Sequence, residues 1–151
     1  MTSATAIGIA VLRVVLGVVM LAHGVQKFTD LTVSGVRDML DDLGLPLVDV
    51  LAVALPVAEV GAGGLLVLGL LTRVAGGVTV VVALGALFTT HLSSGFFVAD
   101  GGYELVLLIA AAGAALVLVG GGRLSLDAVL LVGRGPRVAR HGRPDAGAAR
   151  P

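Results

Sequence analysis

The sequence predicts an all-α polytopic membrane protein, a four-transmembrane-helix bundle with a short amphipathic surface helix in its first outer loop. Three observations carry that prediction. Apolar stretches at about residues 7–24, 51–71, 74–92 and 103–119 each approach the ~20 residues that cross a ~30 Å hydrocarbon layer. Charged residues make up 13% of the chain and hydrophobic ones 57%, where a soluble domain carries about 25% charged. Only Arg13 and Glu59 place ionisable groups well inside the stretches.

The first stretch reads as a retained helix rather than a cleaved signal. Residues 1–6 carry no side-chain charge, Arg13 interrupts the apolar run, and Leu21-Ala22-His23-Gly24 is a poor cleavage site. The longest connection, 25–50, follows. Within it Val33, Val36, Met39, Leu40 and Leu43 recur at helical spacing, with Arg37, Asp38, Asp41 and Asp42 mostly opposite. Thr32 or Ser34 caps this helix, and Gly44 with Pro46 stops it. About ten residues are too few to span, so it lies on the membrane surface. Leu71-Thr72-Arg73 makes a tight hairpin between the second and third spans, and residues 93–102 join the third to the fourth. Gly120-Gly121-Gly122 makes a turn, after which Ser125 caps a short helix over 126–132. The expected organisation is a membrane domain, 1–132, followed by a basic disordered tail, 133–151, rich in Arg, Gly, Pro and Ala.

Basic residues set the orientation. Arg73, Arg123, Arg134, Arg137, Arg140, Arg143 and Arg150 lie on one side, Lys27 and Arg37 on the other. The positive-inside rule then puts the hairpin, the tail and, with an even number of spans, the N-terminus in the cytoplasm of a bacterial cell. The tail's arginines fit anionic lipid headgroups better than a nucleic-acid partner.

An unpaired charge in the bilayer is expensive, at least a few kcal/mol, so Arg13 and Glu59 are expected to pair. Their depths differ by about 9 Å on straight helices, a gap a long arginine can largely cross. Arg13, Gly17, Met20 and Gly24 share one helical stripe, and Pro56, Glu59 and Gly63 another. Small residues beside a charge mark faces that turn into the bundle. A second group, His23, Lys27, His91 and Glu104, falls at nearly one depth near the outer surface. With Glu59 below them, these residues are the candidate ligand-binding layer. Two imidazoles on separate helices suit hydrogen bonds to a quinone carbonyl, with the carboxylates handling protons; haem ligation is the second choice. No metal-binding spacing is present. The chain has no cysteine, so thiol–disulfide exchange and iron–sulfur ligation fall to other groups or to a partner.

The ordered set Leu12-Arg13, Leu16-Gly17, His23-Gly24, Lys27-Phe28, Gly44-Leu45-Pro46, Glu59, Gly63-Gly64-Leu65-Leu66 and Leu68-Gly69-Leu70-Leu71-Thr72-Arg73 resembles the DoxX family of small bacterial membrane proteins. It continues through His91, Gly95-Phe96-Phe97, Gly102-Tyr103-Glu104 and Ser125-Leu126-Asp127. The resemblance implies a four-helix inner-membrane protein whose relatives are linked to redox systems. DoxD proteins are associated with thiosulfate:quinone oxidoreductase, and some DoxX-like proteins with detoxification enzymes in oxidative stress and thiol homeostasis. Carried over residue by residue, it points to Arg13, His23, Lys27, Glu59, His91 and Glu104. The resulting expectation is a membrane subunit of an oxidoreductase-type assembly, rather than a stand-alone enzyme, with an outer-leaflet site for a quinone-like molecule. The alternative is a non-catalytic membrane anchor for soluble redox enzymes.

Overall fold

The computed structural model describes residues 2–132; the expected tail, 133–151, lies outside them. The helices in chain order are α1 (Ser3–Thr29), α2 (Thr32–Asp42), α3 (Val48–Leu68), α4 (Thr72–Ala86), α5 (Glu104–Val119) and α6 (Leu126–Val132), with no strand among the described residues. A π-turn at Leu87–His91 and a 3-10 turn at Leu92–Ser94 continue α4, so that one rod of 23 residues runs Thr72–Ser94. Three helices, Ser3–Thr29, Val48–Leu68 and Thr72–Ser94, are long and apolar enough to cross a membrane. Helix α5 is apolar but has only 16 residues.

Glycines decide which helices clasp. A Cβ on Gly17 would sit 2.8 Å from the Gly63 carbonyl oxygen, and one on Gly63 would sit 2.7 Å from that of Gly17. The backbones of α1 and α3 therefore touch, as small residues allow in membrane interfaces. Gly76 and Gly113 do the same for α4 and α5, at 2.9 and 3.0 Å. Leu16, Ala62, Leu66, Ala75 and Leu116 form the core that joins the two pairs. Val11, Val15, Val18, Val81, Leu108 and Leu118 are each more than half exposed, an apolar exterior suited to lipid, which solvates such side chains without penalty.

Each turn has a local cause. Helix α3 ends at Gly69 (φ +72), whose N–H donates to Leu65 O at 2.8 Å while the Leu70 N–H reaches the same oxygen at 3.0 Å, a left-handed cap that glycine adopts without strain. Helix α2 buries Val36 and Leu40 against Ala52 of α3 and leaves Arg37, Asp38, Asp41 and Asp42 exposed, as its periodicity predicts, except that Val33 in its first turn is exposed as well. It starts at Thr32, and Gly44 (φ +67) follows its end. Beyond α5, Gly120 (φ +81) and Gly122 (φ +71) fold the chain back beneath the bundle. There Ser125 Oγ accepts from Ala128 N at 3.2 Å and caps α6.

Candidate functional site

Arg13 and Glu59 are both 4% exposed. Their predicted faces turn inward: Arg13, Gly17, Met20 and Gly24 are buried on α1, and Pro56, Glu59 and Gly63 on α3. The expected pair between them does not form. The partner of Glu59 is Lys27, whose Nζ donates to Oε1 at 2.9 Å and lies 2.9 Å from Oε2. The reason is packing register. A Cβ on Gly24 would meet the Glu59 Cβ at 3.0 Å, so Glu59 lies beside the last turns of α1, about 16 Å along the axis from Arg13. No guanidinium spans that gap. Helix α1 continues to Thr29, and this extra turn carries Lys27 over the carboxylate.

Arg13 is held at the opposite end of the bundle. Its Nη2 donates to Leu124 O at 2.9 Å, and the space it occupies exists because residue 69 is glycine. An ideal Cβ there would stand 1.5 Å from Nη1. Asp127 supplies the countercharge. Its Oδ1 accepts from Leu71 N at 2.8 Å, and its Oδ2 from Thr72 N at 3.0 Å and Thr72 Oγ1 at 2.9 Å. The carboxylate thereby caps α4 from a distant part of the chain, at the positive end of the helix dipole. Burial alone would raise the Asp127 carboxyl; the three hydrogen bonds and Arg13 outweigh it and hold the group below the ordinary carboxylate range.

Near Glu59 the structure leaves room instead. A cavity of about 380 Å³ lies among α1, α2, α3 and the α4 rod, within the ~300–1,000 Å³ range of small-molecule sites. Met39 and Leu40 of α2, Leu43 just beyond it, and Leu51 and Leu55 of α3 line it, with Val81, Val82 and Gly85 of α4. Its polar lining comes from Lys27, Glu59 and the π-turn residues Thr89, Thr90 and His91. His91 Nδ1 donates to Gly101 O at 2.7 Å, tying the ring to the 95–102 loop. That loop is closed by Tyr103 N to Gly95 O at 3.0 Å and stacked edge-to-face through Phe96, Phe97 and Tyr103. π-turns recur at functional positions in helices, and this one carries three cavity residues.

The layer expected from depth alone thus divides. Lys27, Glu59 and His91 share the cavity, whereas His23 and Glu104 do not line it. His23 is exposed: its neighbour Gly24 faces α3, and one residue turns a helix by ~100°. Glu104 lines a separate recess with Phe96, Val98 and Leu105, because α5 packs on α4 outside the four elements that enclose the cavity. Sequence reasoning missed Thr89 and Thr90, the α2 wall, and the role of Asp127. The apolar face of α2 was the available signal for the wall; an acidic residue two positions after the α6 cap was the signal for Asp127.

These features define a multi-pass helical membrane protein with a part-buried ion pair bordering a mainly apolar cavity that opens past α4. The DoxX family model matches residues 8–92, more than half of the chain and all of the cavity's elements, and the chain belongs to the DoxX family. It is similar to the Bacillus subtilis (strain 168) protein named "Putative oxidoreductase CatD", with 30% identity over 128 residues covering 85% of this chain and 90% of the relative. No solved structure matches the chain significantly.

Proposed function

We propose that the chain is a membrane subunit of an oxidoreductase-type assembly and that the cavity beside Glu59 receives a quinone-like lipophilic molecule. One observation carries this reading: a part-buried ammonium–carboxylate pair and an imidazole border a cavity whose remaining walls are almost entirely aliphatic. Apolar walls with a few convergent polar groups are what a small aromatic ligand needs. Bis-histidine haem does not fit, since His91 lines the cavity and His23 stands exposed outside it. The name of the Bacillus relative and the family resemblance to redox-linked proteins, with their oxidative-stress setting, support the same class.

In this reading a bound quinone supplies two-electron chemistry, and a partner redox enzyme of the assembly supplies the electrons. The chain's own residues position and exchange protons. Lys27 orients Glu59, the Glu59 carboxylate takes or returns a proton, and the ring nitrogen of His91 not bonded to Gly101 meets the remaining hydrogen-bonding demand. The protein crosses the bacterial cytoplasmic membrane four times with both termini inside. The ~24 Å of α5 serves as the fourth span, a mismatch that local thinning or flanking residues absorb at small cost. Arg73 and Arg123 then face the cytoplasm, and the cavity lies toward the outer leaflet.

The test is direct binding of decylubiquinone and of its quinol to purified protein in nanodiscs. The double variant Lys27→Met, Glu59→Leu removes the pair together, an exchange that is often neutral for stability. It should stay folded by circular dichroism and lose binding at least tenfold. Unchanged binding in that variant would remove the site from this cavity. Failure of the wild type to bind either form would leave the membrane-anchor role for soluble redox enzymes as the better account.

A further inference from the structure

The polar lining of the cavity is unbalanced in a way that bears on the ligand's oxidation state. Glu59, as a carboxylate, only accepts. Its Oε1 accepts a hydrogen bond from Lys27 Nζ at 2.9 Å, while Oε2 is shielded from solvent and receives no hydrogen bond among the described residues, although Nζ lies 2.9 Å from it. His91 Nδ1 faces a carbonyl oxygen at 2.7 Å. A carbonyl can only accept, so Nδ1 carries the proton and, in the neutral ring, Nε2 offers a lone pair. Thr89 directs its hydroxyl proton to Gly85 O at 2.8 Å, so across the 3.3 Å contact between the two hydroxyls Thr90 is the donor to Thr89 Oγ1, and Thr90 Oγ1 is left as an acceptor. Lys27 is the strong donor in the lining, and it is held against the carboxylate. Three acceptors from α3 and the π-turn therefore converge on space that contains little to satisfy them.

We infer that the cavity selects the reduced, hydroxyl-bearing partner of an aromatic redox couple, a hydroquinone or related phenol, over the carbonyl-bearing quinone. The inference rests on the quinone-like site proposed above and narrows it. The two forms have nearly the same shape and apolar area, so burial contributes alike to both. Hydrogen bonding separates them. An O–H pointing at Glu59 Oε2 satisfies a buried acceptor, and one at His91 Nε2 a partly exposed one, whereas a carbonyl oxygen in either place sets lone pair against lone pair. Sites built around such groups discriminate strongly against analogues that lack the matching proton.

The experiment compares three ligands on the wild-type full-length protein in nanodiscs under anaerobic conditions: decylubiquinol, decylubiquinone, and the quinol with both hydroxyls methylated. The expected order is quinol tightest by at least about tenfold, with quinone and dimethyl ether both weak. A tenfold preference for the reduced form raises the midpoint potential of the bound couple by about 30 mV, which spectroelectrochemistry reads independently. Glu59→Gln, whose amide can donate, should narrow the preference. Because that variant removes a buried partner of Lys27, the wild-type ligand series decides the question without it. Quinone binding as tightly as quinol, or ether binding as tightly as quinol, overturns the inference while leaving the cavity as a quinone-type site. Binding of none of the three overturns the site itself and this inference with it.

Discussion

Arg13 and Glu59 are equally buried, each 4% exposed, yet one is tied to a returning segment of chain and the other borders a cavity. Around Arg13 the chain returns after α5 and delivers Leu124 O, while Asp127 takes hydrogen bonds from Leu71 and Thr72. One main-chain carbonyl, Leu124 O, accepts from Arg13 directly, and the countercharge Asp127 is itself fixed by the backbone of α4, while Arg13 Nε and Nη1 find no hydrogen-bond partner among the described residues. Around Glu59 a single lysine supplies the countercharge, and leucines, valines and glycine stand back from it. A charge tied to a distant segment and to the cap of a helix stabilises the join between elements. A charge held by one side chain at the edge of a cavity remains available to a ligand. On that difference rests the proposal that the Glu59 end, and not the Arg13 end, takes a ligand.

The largest test of this contrast is Gly69→Ala. A methyl there collides with Arg13 Nη1 and the backbone is left-handed, so the variant adds strain of roughly 1–2 kcal/mol to the loss of a buried charge's setting, about 3–5 kcal/mol. Loss of folded protein on size-exclusion chromatography is the expected outcome; a normal melting profile would break the comparison. Next is Asp127→Ala, which removes the cap of α4 and the countercharge to Arg13 together. A loss of about 2–3 kcal/mol is expected in denaturant titration.

The same residue sets a pH dependence. Its carboxyl is lowered in the folded protein, so its contribution is fully present above the ordinary aspartate value near 4 and disappears as pH falls through the lowered folded value. Melting temperatures measured from pH 6 down to pH 3 should drop less in Asp127→Asn than in the wild type.

At the cavity end the signs change. Gly85 lines the space and a Cβ there meets nothing within 4 Å, so Gly85→Ala should stabilise the helix by about 0.5–1 kcal/mol. The same methyl projects toward the cavity and should weaken ligand binding a few-fold in the nanodisc assay. Smallest of all is Arg37→Ala. Its ion pair with Asp49 is 2.6 Å long but both side chains are more than half exposed, and a change below about 0.5 kcal/mol is expected.

The helical faces were legible because burial in a bundle follows a fixed period. The stripe Arg13, Gly17, Met20, Gly24 and its counterpart Pro56, Glu59, Gly63 needed only residue spacing, and Gly17–Gly63 is an observed contact between them. The amphipathic helix and the α6 cap were legible for the same reason and from capping chemistry. The choice of partner was not. Depth estimates treat helices as straight spans ending where the apolar run ends, whereas α1 persists to Thr29 and brings Lys27 to Glu59. The chain's return past Arg13 depends on glycines at 120 and 122 in left-handed conformations, and spacing alone does not reveal where such a turn delivers Leu124 and Asp127. The π-turn was invisible too, since Leu87-Phe88-Thr89-Thr90-His91 has no pattern distinguishing it from the α-helix before it.

That π-turn has a consequence for how the gene can change. A π-turn holds one residue more than the α-turn it interrupts, so it marks a place where the rod can lose a codon and keep its two halves aligned. The same deletion a few positions earlier, within Thr72–Ala86, would swing everything after it about 100° around the axis and turn the histidine off its wall. Length variation among lineages should therefore be concentrated in residues 87–91, where tightening the coil trims the chamber rather than scrambling the bundle.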